Sequence, residues 1–208
     1  MRRSRSEAAE TRERIVSTAS KMFLAKGLEA VGMRDIMSAV GLTPGGFYRH
    51  FESKEQLIAE ANKAAFDRLL AMFEMQTAGM SAAEALDRIV WLYLHQTQVE
   101  ANNFRCPLAT IGAELSHCEP PVRTVAIDGY QRVVKLLADR LMDLGRDDAL
   151  AAASGVVSMM TGAVMVANIA PDKAAARSIL NNAHAAVTAL LAPTGGVAKV
   201  SRRAKNMR

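Results

Sequence analysis

Residues 32–54 read GMRDIMSAVGLTPGGFYRHFESK, and this stretch decides the fold. Apolar residues at positions 33, 36, 37 and 40 line one face of a short helix. Gly41 follows, and glycine readily takes the left-handed conformation that often ends a helix. Thr43 then offers an N-cap, and Pro44 suits the first position of a second helix. The spacing predicts a helix-turn-helix, in which the second helix enters the major groove of DNA.

The segment GLTPGGFYRHFESKEQL at residues 41–57 resembles the DNA-binding segment of the tetracycline-repressor (TetR) family of bacterial transcriptional regulators. TRERIVSTASKMFLAKGLEAVGMRDI at residues 11–36 is similar to that family's first helix, glycine turn and second helix. The specific resemblance covers residues 8–60, and beyond it only the length and the helical pattern agree. It implies an all-α protein with a three-helix helix-turn-helix head and a six-helix domain that binds an effector and dimerises.

The same resemblance implies how the chain is divided. Residues 1–52 are expected to form the DNA-binding domain and residues 53–192 the effector-binding and dimerisation domain, with a basic, disordered tail at residues 193–208. Helix signals follow one another, and no alternating β-branched run predicts a strand. The six helices of the second domain are expected to start at Ser53, Ser81, Cys106, Pro120, Asp147 and Asp172, with a break at residues 101–104. With the three of the head, we expect nine helices.

Nine residues are candidates for DNA contact. Phe47 and Phe51 are four apart and can face the core, which leaves the side chains between them to point outward. The resemblance implies that Lys54 contacts a DNA phosphate and that Tyr48 contacts a phosphate or a base. His50 is either a DNA contact or a cation at a helix C-terminus. The set is Arg34, Thr43, Pro44, Gly45, Gly46, Tyr48, Arg49, His50 and Lys54.

Two glycines depart from the family pattern. Gly32 stands where the family often has a Ser or Thr cap, and glycine is weaker there by only about a few tenths of a kcal/mol. Gly46 stands where many members carry a small hydroxyl residue. Because it has no side chain, we expect it to allow close backbone approach and to leave base reading to Arg34, Thr43, Tyr48 and His50.

Charge is unevenly spread over the 208 residues. Residues 1–51 carry nine basic and five acidic residues, residues 52–198 carry twelve and sixteen, and residues 199–208 carry five and none. Basic ends on a mildly acidic body are expected of a DNA-binding protein, although an ordinary solvated surface is the alternative. The charged N-terminus has no apolar signal segment, and two cysteines make no disulfide framework, so we expect a cytoplasmic protein.

Residues 149–170, ALAAASGVVSMMTGAVMVANIA, carry no charge. Their length permits a membrane span, but their many small residues, Asn168 and the lack of a flanking cluster of Lys or Arg favour a helix buried on most sides. Gly155 and Gly162 fall on one stripe that lets another helix approach closely. The resemblance implies a homodimer in which the last two helices pack as a four-helix bundle, and no membrane partner is expected.

Cys106 follows Arg105 and precedes a helix, two features that favour a thiolate and lower the pKa of the thiol. A thiolate reacts with electrophiles and oxidants, so Cys106 is either a sensor or a packed residue. Cys118 is the other thiol, and a separation of about 16 Å along one helix is too long for a disulfide. Cys118 and His117 lack a second nearby pair of ligands, so we expect no metal and no cofactor.

Further effector candidates lie on the helices that, by resemblance, enclose a ligand pocket. Apolar walls with a few polar groups suit a small organic ligand, although each residue is also explained as ordinary core. The candidates are Cys106, Trp91, His95, Phe104, Tyr130 and Met159, with Tyr93, Gln98, Met160 and Met165 on the same helices.

These features predict a homodimeric repressor that a small molecule, or modification of Cys106, releases from a palindromic operator by shifting populations of conformers. The helix over residues 54–76 is the expected lever between pocket and head. Activation instead of repression stays open, and so does a DNA-organising role without transcriptional control. A thiol-dependent enzyme using Cys106 is a third alternative, but no nucleotide loop or paired catalytic carboxylate supports one, and we expect no enzyme.

Overall fold

A computed structural model describes residues 5–95 and 105–192, which form nine helices and no strand. The predicted all-α class and nine helices are confirmed. The elements are α1 (Arg5–Lys26), α2 (Met33–Ala39), the 3₁₀ helix η1 (Pro44–Arg49), α3 (Lys54–Gln76), α4 (Ala82–Leu94), α5 (Pro107–Leu115), α6 (Pro120–Asp143), α7 (Ala149–Asn168) and α8 (Lys173–Leu191). The predicted break at residues 101–104 and the tail at 193–208 lie outside the described residues.

Most predicted caps begin the helices they were assigned to. Ser53 Oγ accepts from the Gln56 amide at 3.1 Å, and the Asp172 carboxylate accepts from the amides of Ala174 and Ala175 at 2.8 Å each. The cap predicted at Asp147 is wrong by one residue, because α7 begins after Asp148. The Asp148 carboxylate makes no cap bond and instead pairs with Arg146 at 2.7 Å.

One apolar cluster joins the head to the body. Buried residues of α1, α2 and η1, among them Phe23 and Met37, pack with Leu57 of α3. The same cluster contains residues of α5 and α6, namely Ile111, Leu115, Val122 and Ala126. The head therefore packs on three helices of the second domain, α3, α5 and α6, so a displacement of α5 can be transmitted to the head.

A second cluster forms the core of the body, with buried residues of α3, α4, α6, α7 and α8. Gly129 brings α6 close to α3, since a Cβ atom built at this residue would lie 2.2 Å from Phe66 Cδ2. Any side chain at residue 129 would therefore displace the Phe66 ring, and the two helices cross here in close contact.

The α7 helix is less buried than the sequence predicts. Only 33% of its most apolar 18-residue window is buried, although its length and its mean hydropathy of 1.8 would also suit a membrane span. Its exposed apolar side chains are those of Leu150, Met159, Met165 and Val166, and Ile169 directly after the helix is exposed as well. A Cβ atom built at Gly155 or at Gly162 would have no neighbouring atom within 4 Å. The expectation of burial on most sides is therefore wrong for one described subunit, because nothing in it covers this face.

Candidate DNA interface and effector cavity

The segment after α2 turns sharply into η1. Gly41 has φ of 74°, as its place after a helix predicts. Thr43 is extended and occupies the predicted N-cap position, but its side chain makes no cap hydrogen bond. The Gly46 amide bonds to the Thr43 backbone carbonyl at 3.0 Å instead. The predicted second helix is a 3₁₀ helix of six residues. Glycines at two of those six positions disfavour a longer α-helix, and 3₁₀ geometry suits short pieces.

The aromatic residues of this segment divide an inner face from an outer face, as predicted. Phe47 and Phe51 are buried, with ring centroids 5.4 Å apart in a stacked arrangement. Tyr48 is 69% exposed and lies edge-on to Phe47. Six of the nine candidate DNA contacts are exposed, namely Arg34, Thr43, Pro44, Gly45, Tyr48 and Arg49, while Gly46, His50 and Lys54 are half-buried. The exposed candidates therefore include two arginines, one on α2 and one on η1, and one tyrosine.

Lys54 lies at the junction of head and α3 rather than wholly in solvent. Its Nζ donates to the Leu28 carbonyl at 2.9 Å, which ties the α1–α2 turn to the start of α3. An ammonium group has three N–H donors, so this bond leaves two for a phosphate. The predicted phosphate contact of Lys54 stays a prediction.

Sequence reasoning missed Arg12 of α1, which connects the end of η1 to α3. Its Nε donates to the His50 carbonyl at 3.2 Å, and its guanidinium lies 4.6 Å from the centroid of the Phe51 ring. Both terminal nitrogens bind the Glu60 carboxylate, and this hydrogen bonding raises the pKa of Arg12. These partners are 38 to 48 residues away, so no local pattern reveals them.

A cavity of about 610 Å³ opens between α4, α5, α7 and α8. Its apolar lining comes from Leu94, Val164, Ala167 and Leu180, and its neutral polar lining from Tyr93, Cys106, Thr110 and Asn168. Four charged residues complete it, which are Arg105, Asp172, Lys173 and Arg177. This volume and mixture suit a small organic molecule.

Cys106 lines the cavity, but the lowered pKa predicted for its thiol is wrong. The residue is 3% exposed, and burial raises the pKa despite hydrogen bonding to Tyr93 and to the first amides of α5. Desolvation of the thiolate outweighs the helix N-terminus here, and Arg105 is exposed to solvent. Cys106 and Cys118 are both thiols.

Of the other predicted effector residues, Tyr93 lines this cavity, whereas Trp91, His95, Tyr130 and Met159 do not. Trp91 is 37% exposed and stacks on His95, whose Nε2 lies 3.5 Å from Asn181 Oδ1. Tyr130 bonds to Ser154 Oγ at 2.8 Å between α6 and α7. Met159 is partly exposed on α7, and Phe104 lies outside the described residues. Within the described part of the chain, no group of three His, Cys, Asp or Glu residues is arranged to hold a metal ion.

Glu114 connects the α5 helix to the head, another feature that sequence reasoning missed. Its Oε2 accepts from the amides of Leu28 and Glu29 at 2.7 and 3.0 Å. Gly27, with φ of 90°, leaves space for this carboxylate, since a Cβ there would lie 2.8 Å from Glu114 Oε1. Because α5 starts beside Cys106 at the cavity, one helix of nine residues spans from cavity to head.

Two family models match this architecture. One, described as bacterial regulatory proteins of the tetR family, matches residues 15–61, which hold most of α1 together with α2 and η1. The other, described as the C-terminal domain of LmrA/YxaF-like transcriptional regulators, matches residues 82–182. The chain belongs to the TetR family. It is a transcriptional regulator of a family whose members bind DNA operators and small-molecule effectors and form dimers.

Individual relatives agree with this assignment. The HTH-type regulator YxaF of Bacillus subtilis is 25% identical over 79% of this chain and 88% of its own length. The transcriptional repressor KstR2 of Mycolicibacterium smegmatis is 30% identical over 43% of this chain, an alignment that spans 42% of that repressor. A TetR transcriptional regulator from Chloroflexus aurantiacus, known from its crystal structure, superposes on this chain with a TM-score of 0.74 and 26% sequence identity. The superposition covers 88% of this chain and 95% of that regulator's chain.

Proposed function

We propose that this TetR-family protein is a homodimeric repressor that binds a palindromic operator and leaves it when an effector enters the cavity of α4, α5, α7 and α8. The outer face of η1 reads the major groove through Tyr48, Arg49 and neighbouring residues, and Arg34 approaches from the start of α2. Lys54 and exposed backbone near Gly45 and Gly46 contact phosphates.

The exposed face of α7 supports dimerisation through the last two helices. It carries large apolar side chains next to Gly155 and Gly162, and α8 adds exposed small residues, among them Ala174, Ser178 and Ala185. A second subunit that packs α7 and α8 against this face would remove the apolar surface from water. The same pairing supports a location in the cytoplasm rather than in a membrane.

Two glycines offer a matched test of the dimer. Gly129→Ala forces a Cβ against Phe66 within the subunit, so we expect a stability loss of about 1–3 kcal/mol. Gly155→Ala meets no atom of its own subunit, so we expect an intact fold but weaker self-association. Light scattering against concentration, with urea unfolding of both variants, measures the two effects. A Gly155→Ala dimer as tight as the wild type would contradict this interface.

The observation that carries the regulatory proposal is the α5 helix with Glu114 at one end and the cavity at the other. Ligand at Cys106 and Thr110 moves the start of α5, and Glu114 transmits the movement to the turn at Leu28 and Glu29. The α3 helix, held to η1 by the Arg12–Glu60 pair, adds a second connection. Ligand and operator then favour different head spacings, and each weakens binding of the other by the same factor.

Of the two triggers expected from the sequence, the geometry favours a reversible ligand. A buried thiol with a raised pKa holds little thiolate at neutral pH and reacts slowly. Covalent modification of Cys106 stays the second trigger, and it requires opening of the cavity. If it operates, an alkylating agent releases the protein from operator DNA and Cys106→Ser abolishes that response.

Selection of bound fragments from sheared genomic DNA tests the proposed function and identifies the operator in the same experiment. We expect a few palindromic sites close to promoters, with binding that weakens steeply as salt rises. Tyr48→Ala should lose these sites while it keeps the wild-type helix content. Uniform recovery of fragments that share no sequence would contradict the proposed repressor function and favour a DNA-organising role.

A further inference from the structure

We infer that the effector of this cavity is an amphipathic organic anion, bound through Arg105, Lys173 and Arg177 with its apolar part against α7 and α8. The inference rests on the proposed function, since it names the class of molecule that the proposed effector cavity accepts. Three basic residues and one acidic residue line the cavity, and they come from the starts of two different helices. Arg105 precedes α5, whereas Lys173 and Arg177 lie one turn apart at the start of α8.

The three cations lack partners within the described residues. No ion pair or hydrogen bond of this part of the chain engages the side chain of Arg105, Lys173 or Arg177. Other basic residues of the body are paired, such as Arg132 with Asp67 and Lys135 with Asp139. Cations that have no partner among the described residues, and that lie beside one concave site, attract an anion.

The single acid of the lining offsets only one of these three positive charges. Asp172 directs its carboxylate to its own helix, where it accepts from the amides of Ala174 and Ala175 at 2.8 Å each. A cationic ligand would therefore meet three like charges and a carboxylate that is already bonded. A carboxylate, phosphate or sulfonate of the ligand would meet up to three donors in place of water.

The remaining lining residues indicate the chemistry of the uncharged part of the ligand. Leu94, Val164 and Leu180 supply apolar surface, and all three are buried. Cys106 is buried beside them, and Tyr93 uses its hydroxyl on Thr161 Oγ1 at 2.8 Å. An apolar chain or ring fits this side, so the site selects molecules that carry a charged end and an apolar end.

Calorimetric titration of the full chain with octanoate, octanol and octyltrimethylammonium tests the inference. We expect octanoate to bind at least about fivefold more tightly than octanol, and the cation to bind more weakly than both. Lys173→Gln and Arg177→Gln should each weaken octanoate by about fivefold, and the double variant by more than about tenfold, without change for octanol. Arg123→Gln removes an exposed cation outside the cavity and should change nothing.

Three results would overturn the inference. The first is equal affinity for octanoate and octanol, and the second is unchanged octanoate affinity in the double variant. The third is loss of the dimer in the double variant, which would assign these cations to the contact between subunits. Operator binding measured with and without octanoate separates this inference from the proposed function. Octanoate that binds through the cations but leaves operator affinity unchanged refutes ligand release and keeps the anion site. If a ligand releases the protein from its operator and its affinity is unchanged by Lys173→Gln and Arg177→Gln, the anion site is refuted and the proposed function stands.

Discussion

The DNA-facing segment and the effector cavity are built in opposite ways. Every element of the first lies within residues 32–54, where a glycine turn, Pro44 and two stacked phenylalanines follow one another. The second is assembled from four helices, and its lining runs from Tyr93 to Leu180. The first is fixed by local conformation and one aromatic face, whereas the second exists only after long-range packing. Substitutions of buried residues in the head should therefore act through folding, whereas substitutions of lining residues in the cavity should act through ligand binding.

The largest effect is expected where the head depends on a single buried ring. Phe47→Ala removes a side chain that is 1% exposed, and we expect the free energy of unfolding to fall by about 3–5 kcal/mol. Its neighbour Tyr48 is 69% exposed, so Tyr48→Ala should change stability by less than about 0.5 kcal/mol while it weakens operator binding. Urea unfolding followed by circular dichroism measures the first, and fluorescence anisotropy with labelled DNA the second. Equal destabilisation by the two variants would remove the distinction between inner and outer faces.

The next effect concerns the connection between the two regions. Glu114→Ala leaves the Leu28 and Glu29 amides without their acceptor, and we expect a loss of about 1–3 kcal/mol together with faster amide exchange at these two residues. The effect of a cavity ligand on operator affinity should shrink in the same variant. Glu119→Ala is the matched control, since this exposed acid makes no cap bond. Full ligand response in Glu114→Ala would exclude this route.

These contacts mark the limit of what the sequence predicts. Caps such as Ser53 and Asp172 are predictable because donor and acceptor lie within three residues of each other. The Arg12–Glu60 pair spans 48 residues and the Glu114–Leu28 bond spans 86, so neither leaves a local signal. Lys173 and Arg177 are exposed and look like ordinary solvated residues, and only the packing of α4, α5 and α7 beside them makes them part of a cavity lining.

Cys106 shows the same limit in a single side chain. Its neighbour Arg105 and its place before a helix predict a low thiol pKa, because both are local features that favour the thiolate. Burial comes from helices far along the chain and acts in the opposite direction. The sequence therefore identified the correct residue at the cavity but the wrong chemical state for it.

A smaller effect follows from that burial. Below the ordinary thiol pKa of 9.0, Cys106 is protonated in both folded and unfolded chains and adds no pH dependence. As pH rises above 9.0, the unfolded chain loses the proton first, so stability falls until the raised folded pKa is passed. We expect Cys106→Ala to reduce this loss in urea unfolding at alkaline pH.

We also expect iodoacetamide to modify Cys118, which is half-buried, before it modifies Cys106. The reverse order would favour covalent modification of Cys106 as the trigger.

The smallest structural effect is expected at Gly46. A Cβ there would meet Met37 Cε at 3.6 Å, which is ordinary contact, so Gly46→Ser should change stability by less than about 0.5 kcal/mol. The added hydroxyl should alter operator preference, because it introduces a hydrogen-bonding group at the outer segment. Gly45→Ser, where a Cβ meets nothing within 4 Å, serves as the comparison in a selection from randomised DNA. Identical site preferences for wild type and Gly46→Ser would show that residue 46 does not approach the bases.

The proposed function depends on two η1 segments, fixed in one dimer, that read two half-sites on one face of DNA. Anisotropy titration of the selected operator, compared with a version carrying about five extra base pairs between its half-sites, tests this dependence most directly. The insertion rotates one half-site by half a helical turn, so we predict that affinity falls to that of an isolated half-site and that two chains no longer bind as a unit. Unchanged affinity and stoichiometry after the insertion would contradict the proposed function.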